Sequence, residues 1–160
     1  MGERLTNVVI AGLGGQGVLT ASNILADAAF RAGHDVKKSE LHGMSRRGGS
    51  VASDVRFGCE TLSPMVPKGE ADFLVVLDSE EVNANLCRLR KGGVLITPDC
   101  IDDDALPNRR SLNVALLGVL SEYLSIDETD WYESIRANLK DKLHEANLKA
   151  FDIGRQSARV

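Results

Sequence analysis

The fold is decided by residues 7–17, which read NVVIAGLGGQG. The apolar run at 7–11 predicts a buried strand of a parallel sheet, because such strands are covered on both faces. The glycines within 12–17 predict a tight turn. After them, apolar residues recur at helical spacing over 17–32, and Gly33 is the stop signal. The chain therefore opens with a strand, a glycine turn and a helix.

The remainder continues this alternation. Further strands are predicted at 35–40, 50–57, 71–77 and 94–97, and helices at 80–90, 113–124, 131–143 and 145–157. A turn at 58–60 predicts a short strand at 61–63, paired antiparallel with 50–57. Ser79 is the expected N-cap of the helix at 80–90, and Gly92-Gly93 is expected to break that helix. The predicted fold is α/β: a three-layer Rossmann-like domain with a mostly parallel, mixed sheet and helices on both faces.

Composition excludes several classes of protein. With 160 residues, the chain is predicted to be a single domain over 1–160. A net charge of −4 argues against a nucleic-acid binder, which needs a basic face. No apolar stretch suits a membrane span and no signal-peptide pattern is seen, so a cytoplasmic protein is expected. Cys59, Cys87 and Cys100 are widely spaced, which argues against a metal or iron–sulfur site.

The glycine turn contains the pattern G-x-G-x-x-G at Gly12, Gly14 and Gly17. It follows a strand and opens a helix, and Glu40 ends the next strand, which is the context of a dinucleotide site. A helix N-terminus offers free N–H groups to a phosphate. The alternative is that the glycines serve the packing of helix on sheet.

A second glycine-rich stretch, ELHGMSRRGGS, spans residues 40–50. Arg46 and Arg47 are permanently charged donors suited to phosphate or carboxylate. In a parallel sheet this loop would lie at the carboxyl edge, beside the first glycine turn, where ligands and partners bind.

Gly-x-Gly-Gly-Gln-Gly at 12–17, followed by His-Gly-Met-x-x-Arg-Gly-Gly-Ser at 42–50, resembles the gamma subunits of 2-oxoacid:ferredoxin oxidoreductases of the indolepyruvate, 2-oxoglutarate and pyruvate types. Weaker matches, such as Asn113 in a helix with Leu117-Gly118, extend the resemblance over nearly the whole chain. One departure is that residues 98–112 form a shorter segment than is usual in that family.

The resemblance implies a subunit of an enzyme that oxidatively decarboxylates a 2-oxoacid, forms an acyl-CoA and passes electrons to ferredoxin. Thiamine diphosphate and iron–sulfur clusters would lie on partner subunits, with no cofactor bound by this chain alone and ferredoxin as an indirect partner. No catalytic residue is assigned. The candidate ligand- or partner-binding residues are Gly12, Gly14, Gly15, Gln16, Gly17, His42, Gly43, Arg46, Arg47, Gly48, Gly49, Ser50 and Asn113.

Alternatives remain open at this point. The two glycine stretches would form one surface that either packs on partner subunits or contacts CoA directly. His42 is a structural residue or a proton-transfer group, and Asn113 starts a helix or contacts a ligand. For the whole chain, the alternatives are a free-standing NAD(P)- or FAD-binding protein and a small regulatory nucleotide-binding module.

Overall fold

The structure is a computed structural model that describes residues 4–42, 49–61 and 63–159, with His42 described by its backbone alone. Within these ranges the strands and helices, in chain order, are β1 (Thr6–Leu13), α1 (Val18–Arg31), β2 (Asp35–His42), β3 (Ser50–Gly58), β4 (Ala71–Val76), α2 (Val82–Asn85), β5 (Leu89–Ile96), α3 (Leu112–Ser121), α4 (Glu128–Asn138) and α5 (His144–Ala158). Short 3-10 turns occupy 79–81, 86–88, 98–100, 103–105, 109–111 and 141–143.

The five described strands form one sheet in the order β2-β3-β1-β4-β5. β4 is parallel to β1 and β5 is parallel to β4, whereas β3 is antiparallel to both of its neighbours. β1 and β2 therefore run in the same direction with β3 between them. The predicted α/β class with a mixed sheet is confirmed, although the described pairings divide equally between parallel and antiparallel.

The prediction of a short strand at 61–63 is wrong. Thr61 and Ser63 have no strand structure, and Leu62 lies outside the described residues. The physical reason is that β3 is paired along both edges and has no free edge for a hairpin partner. Thr61 instead donates its N–H to Asp35 Oδ2 at 2.7 Å and its hydroxyl to the Asp35 carbonyl at 3.1 Å.

The larger core lies between one face of the sheet and the four long helices α1, α3, α4 and α5. Val8 and Ile10 of β1 are fully buried in it. α3 is buried along nearly its whole length. This agrees with its sequence, which is apolar around the whole helix and has no polar face. α4 is attached to α1 by the Ser134 hydroxyl, which donates to the Ile24 carbonyl at 2.6 Å.

The opposite face of the sheet has a thinner cover. Val9 and Leu74 are fully buried there, and Val82 of α2 packs against this smaller core. Beside it, the fully buried Asp54 carboxylate accepts a hydrogen bond from Arg88 Nη2 at 2.7 Å. Helices thus lie on both faces, as predicted, but the long ones share one face.

The segment after β4 differs from its prediction. The helix expected over 80–90 is two 3-10 turns flanking the four-residue α2. Asp78, not Ser79, is the cap: its Oδ1 accepts from the Glu80 N–H at 2.9 Å. β5 already begins at Leu89, so Gly92-Gly93, which were predicted to break the helix at 80–90, lie inside a strand. Gly92, with a φ of 81°, makes an irregularity within that strand.

Candidate functional site at the sheet edge

The glycine turn after β1 is the first part of the site. Gly15 and Gly17 have φ angles of 90° and 86°, which residues with side chains rarely adopt. Asn113 of α3 lies on the turn, and its Nδ2 donates to the Gly17 carbonyl at 3.2 Å. A Cβ at position 17 would overlap that amide group. Backbone conformation and packing therefore both require glycine here.

Gln16 closes the turn with its side chain. Oε1 accepts from the Leu13 N–H at 2.7 Å, and Nε2 donates to Asp78 Oδ2 at 2.7 Å. A Cβ on Gly12 would lie 2.9 Å from the same Oε1, so Gly12 leaves the space that Gln16 occupies. Because Asp78 follows β4, Gln16 joins the carboxyl ends of the two central parallel strands.

The second glycine stretch meets the first at the same edge. The Gly14 N–H donates to the Gly49 carbonyl at 2.9 Å. Ser50 Oγ donates to Glu81 Oε2 at 2.8 Å. The structure thus brings together residues 12–17, 49–50 and 78–81, which we call the sheet-edge surface.

Of the other predicted residues of the second stretch, His42 is described by its backbone. His42 is the final residue of β2, which runs two residues further than predicted. Gly43, Arg46, Arg47 and Gly48 lie outside the described residues.

The sheet order separates Glu40 from the glycine turn. Glu40 lies on β2, and the whole of β3 stands between β2 and β1. Two strand spacings amount to about 10 Å. In a dinucleotide fold the acidic residue ends the strand beside the glycine turn and binds the ribose. That geometry is not present here, which argues against the free-standing NAD(P) or FAD protein.

A cleft of about 630 Å³ opens beside the glycine turn. Its described lining includes Gly15 and Gly17 of the glycine turn, Thr20 in the first turn of α1 and, on the other side, Arg109 and Arg110. We call it the arginine cleft. The sequence analysis did not predict this cleft. Asn113, which was predicted as a site residue, also lines the cleft.

Metal ligands do not converge in the described part of the chain. No group of three or more His, Cys, Asp or Glu side chains there is arranged to hold a metal ion. Cys59, Cys87 and Cys100 are each exposed and form no disulfide among the described residues. Within the same residues, no helix has the length and apolar character needed to cross a membrane.

Comparison with known proteins identifies the family. A family model described as pyruvate ferredoxin/flavodoxin oxidoreductase matches residues 7–107. The chain belongs to this family. Indolepyruvate oxidoreductase subunit IorB of Thermococcus kodakarensis is 32% identical over 193 aligned positions, covering 96% of this chain and 96% of that protein. The same subunit of Pyrococcus horikoshii is 33% identical with the same coverage. Because 193 positions exceed the 160 residues here, the Thermococcus protein has additional residues.

Solved structures share the fold of this family member. The gamma subunit of a keto/oxoacid ferredoxin oxidoreductase from Geobacter sulfurreducens has a TM-score of 0.82 at 23% identity, covering 96% of this chain and 98% of that one. A 2-oxoglutarate:ferredoxin oxidoreductase from Magnetococcus marinus, solved with 2-oxoglutarate, coenzyme A and succinyl-CoA bound, has a TM-score of 0.84 at 21% identity. It covers 98% of this chain and 31% of that one.

The resemblance stated from the two glycine stretches is therefore confirmed. The chain is a gamma-type subunit of the 2-oxoacid:ferredoxin oxidoreductase class, and its relatives are subunits of multi-subunit oxidoreductases. Nothing in the comparisons supports a free-standing nucleotide-binding protein.

Proposed function

We propose that this subunit works in a cytoplasmic complex that oxidatively decarboxylates indolepyruvate, with CoA as acyl acceptor and ferredoxin as electron acceptor. The observation that carries the proposal is the match, over 96% of both chains, to IorB subunits of indolepyruvate oxidoreductases. The gamma subunit common to pyruvate and ketoisovalerate oxidoreductases of Thermococcus kodakarensis is 38% identical, but over 53% of this chain. Full-length similarity therefore favours indolepyruvate.

Partner subunits supply the redox chemistry in this proposal. Thiamine diphosphate on a partner subunit would supply the chemistry of decarboxylation, and iron–sulfur clusters there would carry the electrons to ferredoxin. The exposed Cys59, Cys87 and Cys100 do not fit a cluster, which needs converging thiolates, and we assign no electron-transfer step to this chain. The proposed role of this chain's own residues is to bind and position the partner subunits.

The sheet-edge surface is the proposed contact with the thiamine-binding subunits. It joins residues from three parts of the chain through the hydrogen bonds of Gly14, Gln16 and Ser50, and such cross-links favour a rigid docking face. Arg46 and Arg47, which we propose next to this surface from the sequence, would meet a partner carboxylate or a CoA phosphate.

Purification of the tagged chain from its native host tests the assembly. We expect a brown complex that contains iron and thiamine diphosphate and reduces ferredoxin with indolepyruvate and CoA. Its kcat/KM for indolepyruvate should exceed that for pyruvate, 2-oxoglutarate and ketoisovalerate. Recovery of the chain alone and colourless would contradict the assembly, whereas a preference for pyruvate would contradict the substrate and leave the assembly intact.

A further inference from the structure

β5 lies at one edge of the sheet. Within the described residues its one neighbouring strand is β4, so the backbone groups of β5 that point away from β4 have no strand to pair with. The first half of β5 contains Arg90, Lys91 and the irregularity at Gly92. Charges and irregularities of this kind protect an edge strand from pairing with another chain.

The second half of this edge lacks such protection. Residues 93–97 read GVLIT and include no charged side chain, and the pairing with β4 is regular from Val94 to Ile96. Leu95 is 36% exposed on the thinly covered face, and Val94 is half-buried on the helical face. By contrast β2, the strand at the other edge, has four charged residues among its eight. The edge at 93–97 can therefore accept a further strand.

The residues around Leu95 are arranged symmetrically about it. Gly92 and Pro98 lie three positions before and after Leu95 and bound the regular stretch, because Gly92 is part of the irregularity and Pro98 begins a 3-10 turn and has no N–H. Lys91 and Asp99 lie four positions before and after it, and both are exposed. Across the ranges that the structure describes, neither of these two side chains forms an ion pair.

We propose that β5 pairs with β5 of a second copy of this chain. The two strands run antiparallel about a two-fold axis at Leu95, and the two five-stranded sheets become one continuous sheet. In this register Leu95 lies opposite Leu95 of the other copy, and Lys91 of each copy lies opposite Asp99 of the other. Opposite charges at equal distances from the axis favour the chain itself as the occupant of this edge.

This pairing goes beyond the proposed function, because it concerns contact between two gamma-type subunits and not their catalytic partners. The sheet-edge surface lies at the carboxyl ends of β1 and β4, whereas the pairing uses the lateral edge of β5. The two contacts therefore use different parts of the sheet. An assembly formed through both contains two copies of this chain.

Sedimentation velocity of the full chain over a range of concentrations tests the pairing. We expect the wild type to pass from monomer to dimer as its concentration rises. Lys91→Glu places two carboxylates opposite each other at both ends of the paired strands, so the dissociation constant of the dimer should rise about ten-fold or more. Lys91→Glu/Asp99→Lys restores opposite charges and should restore the dimer. Lys37→Glu, an exposed position on the other edge strand, is the matched control and should leave dimerisation unchanged.

Disulfide cross-linking tests the register of the paired strands. Cys59, Cys87 and Cys100 are first replaced by serine. Leu95→Cys should then form a linked dimer on mild oxidation, because residues opposite each other in an antiparallel pair have Cα atoms about 5 Å apart, within the reach of a disulfide. Thr97→Cys should not, because its two copies would be about 13 Å apart along the strands.

Three results would overturn the pairing: a wild-type chain that is monomeric at every concentration, a dimer that Lys91→Glu leaves intact, or linkage through position 97 in place of 95. Cross-linking of the Leu95→Cys chain to a different subunit in the native complex would also overturn it, since the occupant would then be a strand of that subunit. The proposed function is judged separately. An active complex with a monomeric chain leaves that function intact, and a dimer without catalytic partners leaves the pairing intact.

Discussion

At the scale of single residues, the contact between Gly17 and Asn113 fixes the geometry of the site. Residue 113 is far from the turn in sequence, yet its amide holds the carbonyl from which α1 starts. The Asn113 Oδ1 also accepts from the Val114 N–H at 2.9 Å. Both polar atoms of the Asn113 side chain are therefore hydrogen-bonded, Oδ1 within α3 and Nδ2 to the glycine turn. A role as a packing residue accounts for Asn113 without a ligand.

Gly17→Ala should destabilise the chain by about 3 kcal/mol, because a left-handed alanine costs about 1–2 kcal/mol and the overlap with Asn113 adds to it. Gly15→Ala is the matched control. Gly15 has nearly the same φ, but an added Cβ meets nothing within 4 Å. We expect about 1 kcal/mol there, from backbone strain alone. Urea unfolding measures both free energies of unfolding, and equal losses in the two variants would show that the Asn113 contact is unimportant.

At the scale of elements, the crossing of α3 and α5 depends on two glycines. A Cβ on Gly118 would overlap the backbone of Phe151, and one on Gly154 would overlap the backbone of Ala115. The two helices therefore touch backbone to backbone. This close approach places α5, and with it Asn147, at the arginine cleft.

Gly154→Ala should therefore lower stability by several kcal/mol, although alanine normally stabilises a helix interior by about 1 kcal/mol relative to glycine. The sign of the change in the free energy of unfolding therefore tests the packing. Thermal and urea unfolding of the full chain should show a large loss, while Gln156→Ala, an exposed position of the same helix, should change the free energy of unfolding by less than about 0.5 kcal/mol. A stabilised Gly154→Ala variant would refute the close packing of α3 on α5.

Ion pairs connect the carboxyl ends of α3 and α5. Glu122 Oε1 pairs with Arg159 at 3.0 Å and Arg155 at 3.1 Å. The hydrogen bond from Arg159 is the main cause of a lowered pKa for Glu122, partial burial opposes it, and Arg155 adds to it. A lowered folded pKa means that the stabilisation is complete above the unfolded pKa and is lost as pH falls through the folded value.

Glu122→Gln should consequently be less stable than wild type at neutral pH, and the difference should shrink as the pH falls below about 4.5. Urea unfolding at a series of pH values measures this. Glu133→Gln is the control for the change in net charge, since Glu133 makes one 3.8 Å contact, with Arg136, and should have a smaller effect at neutral pH. A gap that is constant with pH would contradict the role of the Glu122 carboxylate.

How far the sequence predicts these elements depends on whether a signal is local. The strand at 7–11 and the helix α1 follow from apolar periodicity within one segment. Gly92 is different, because an irregularity inside a strand and the end of a helix have the same glycine signal, and the choice depends on the neighbouring strand β4. The failed strand at 61–63 has the same cause, since its supposed partner was already paired on both edges.

At the scale of the whole molecule, the site also has parts with a local sequence signal and parts without one. Residues 12–17 and Gly49 were predicted as neighbours because both follow from the logic of a parallel sheet edge. The arginine cleft was not predicted, because it forms where the start of α1 meets residues 108–113 and 139–147, which lie far later in the chain, and no periodicity links them. The family was still identified from the sequence, because the resemblance stated from the two glycine stretches agrees with the comparisons.

The position of β1 has a consequence for synthesis on the ribosome. Of the described strands β1 is synthesised first, yet its two neighbours are β3 and β4, which end at residues 58 and 76. Until Val76 has left the exit tunnel, an almost wholly apolar strand has incomplete pairing and exposed edges, which are prone to aggregation. We expect nascent chains to need chaperone protection over this interval.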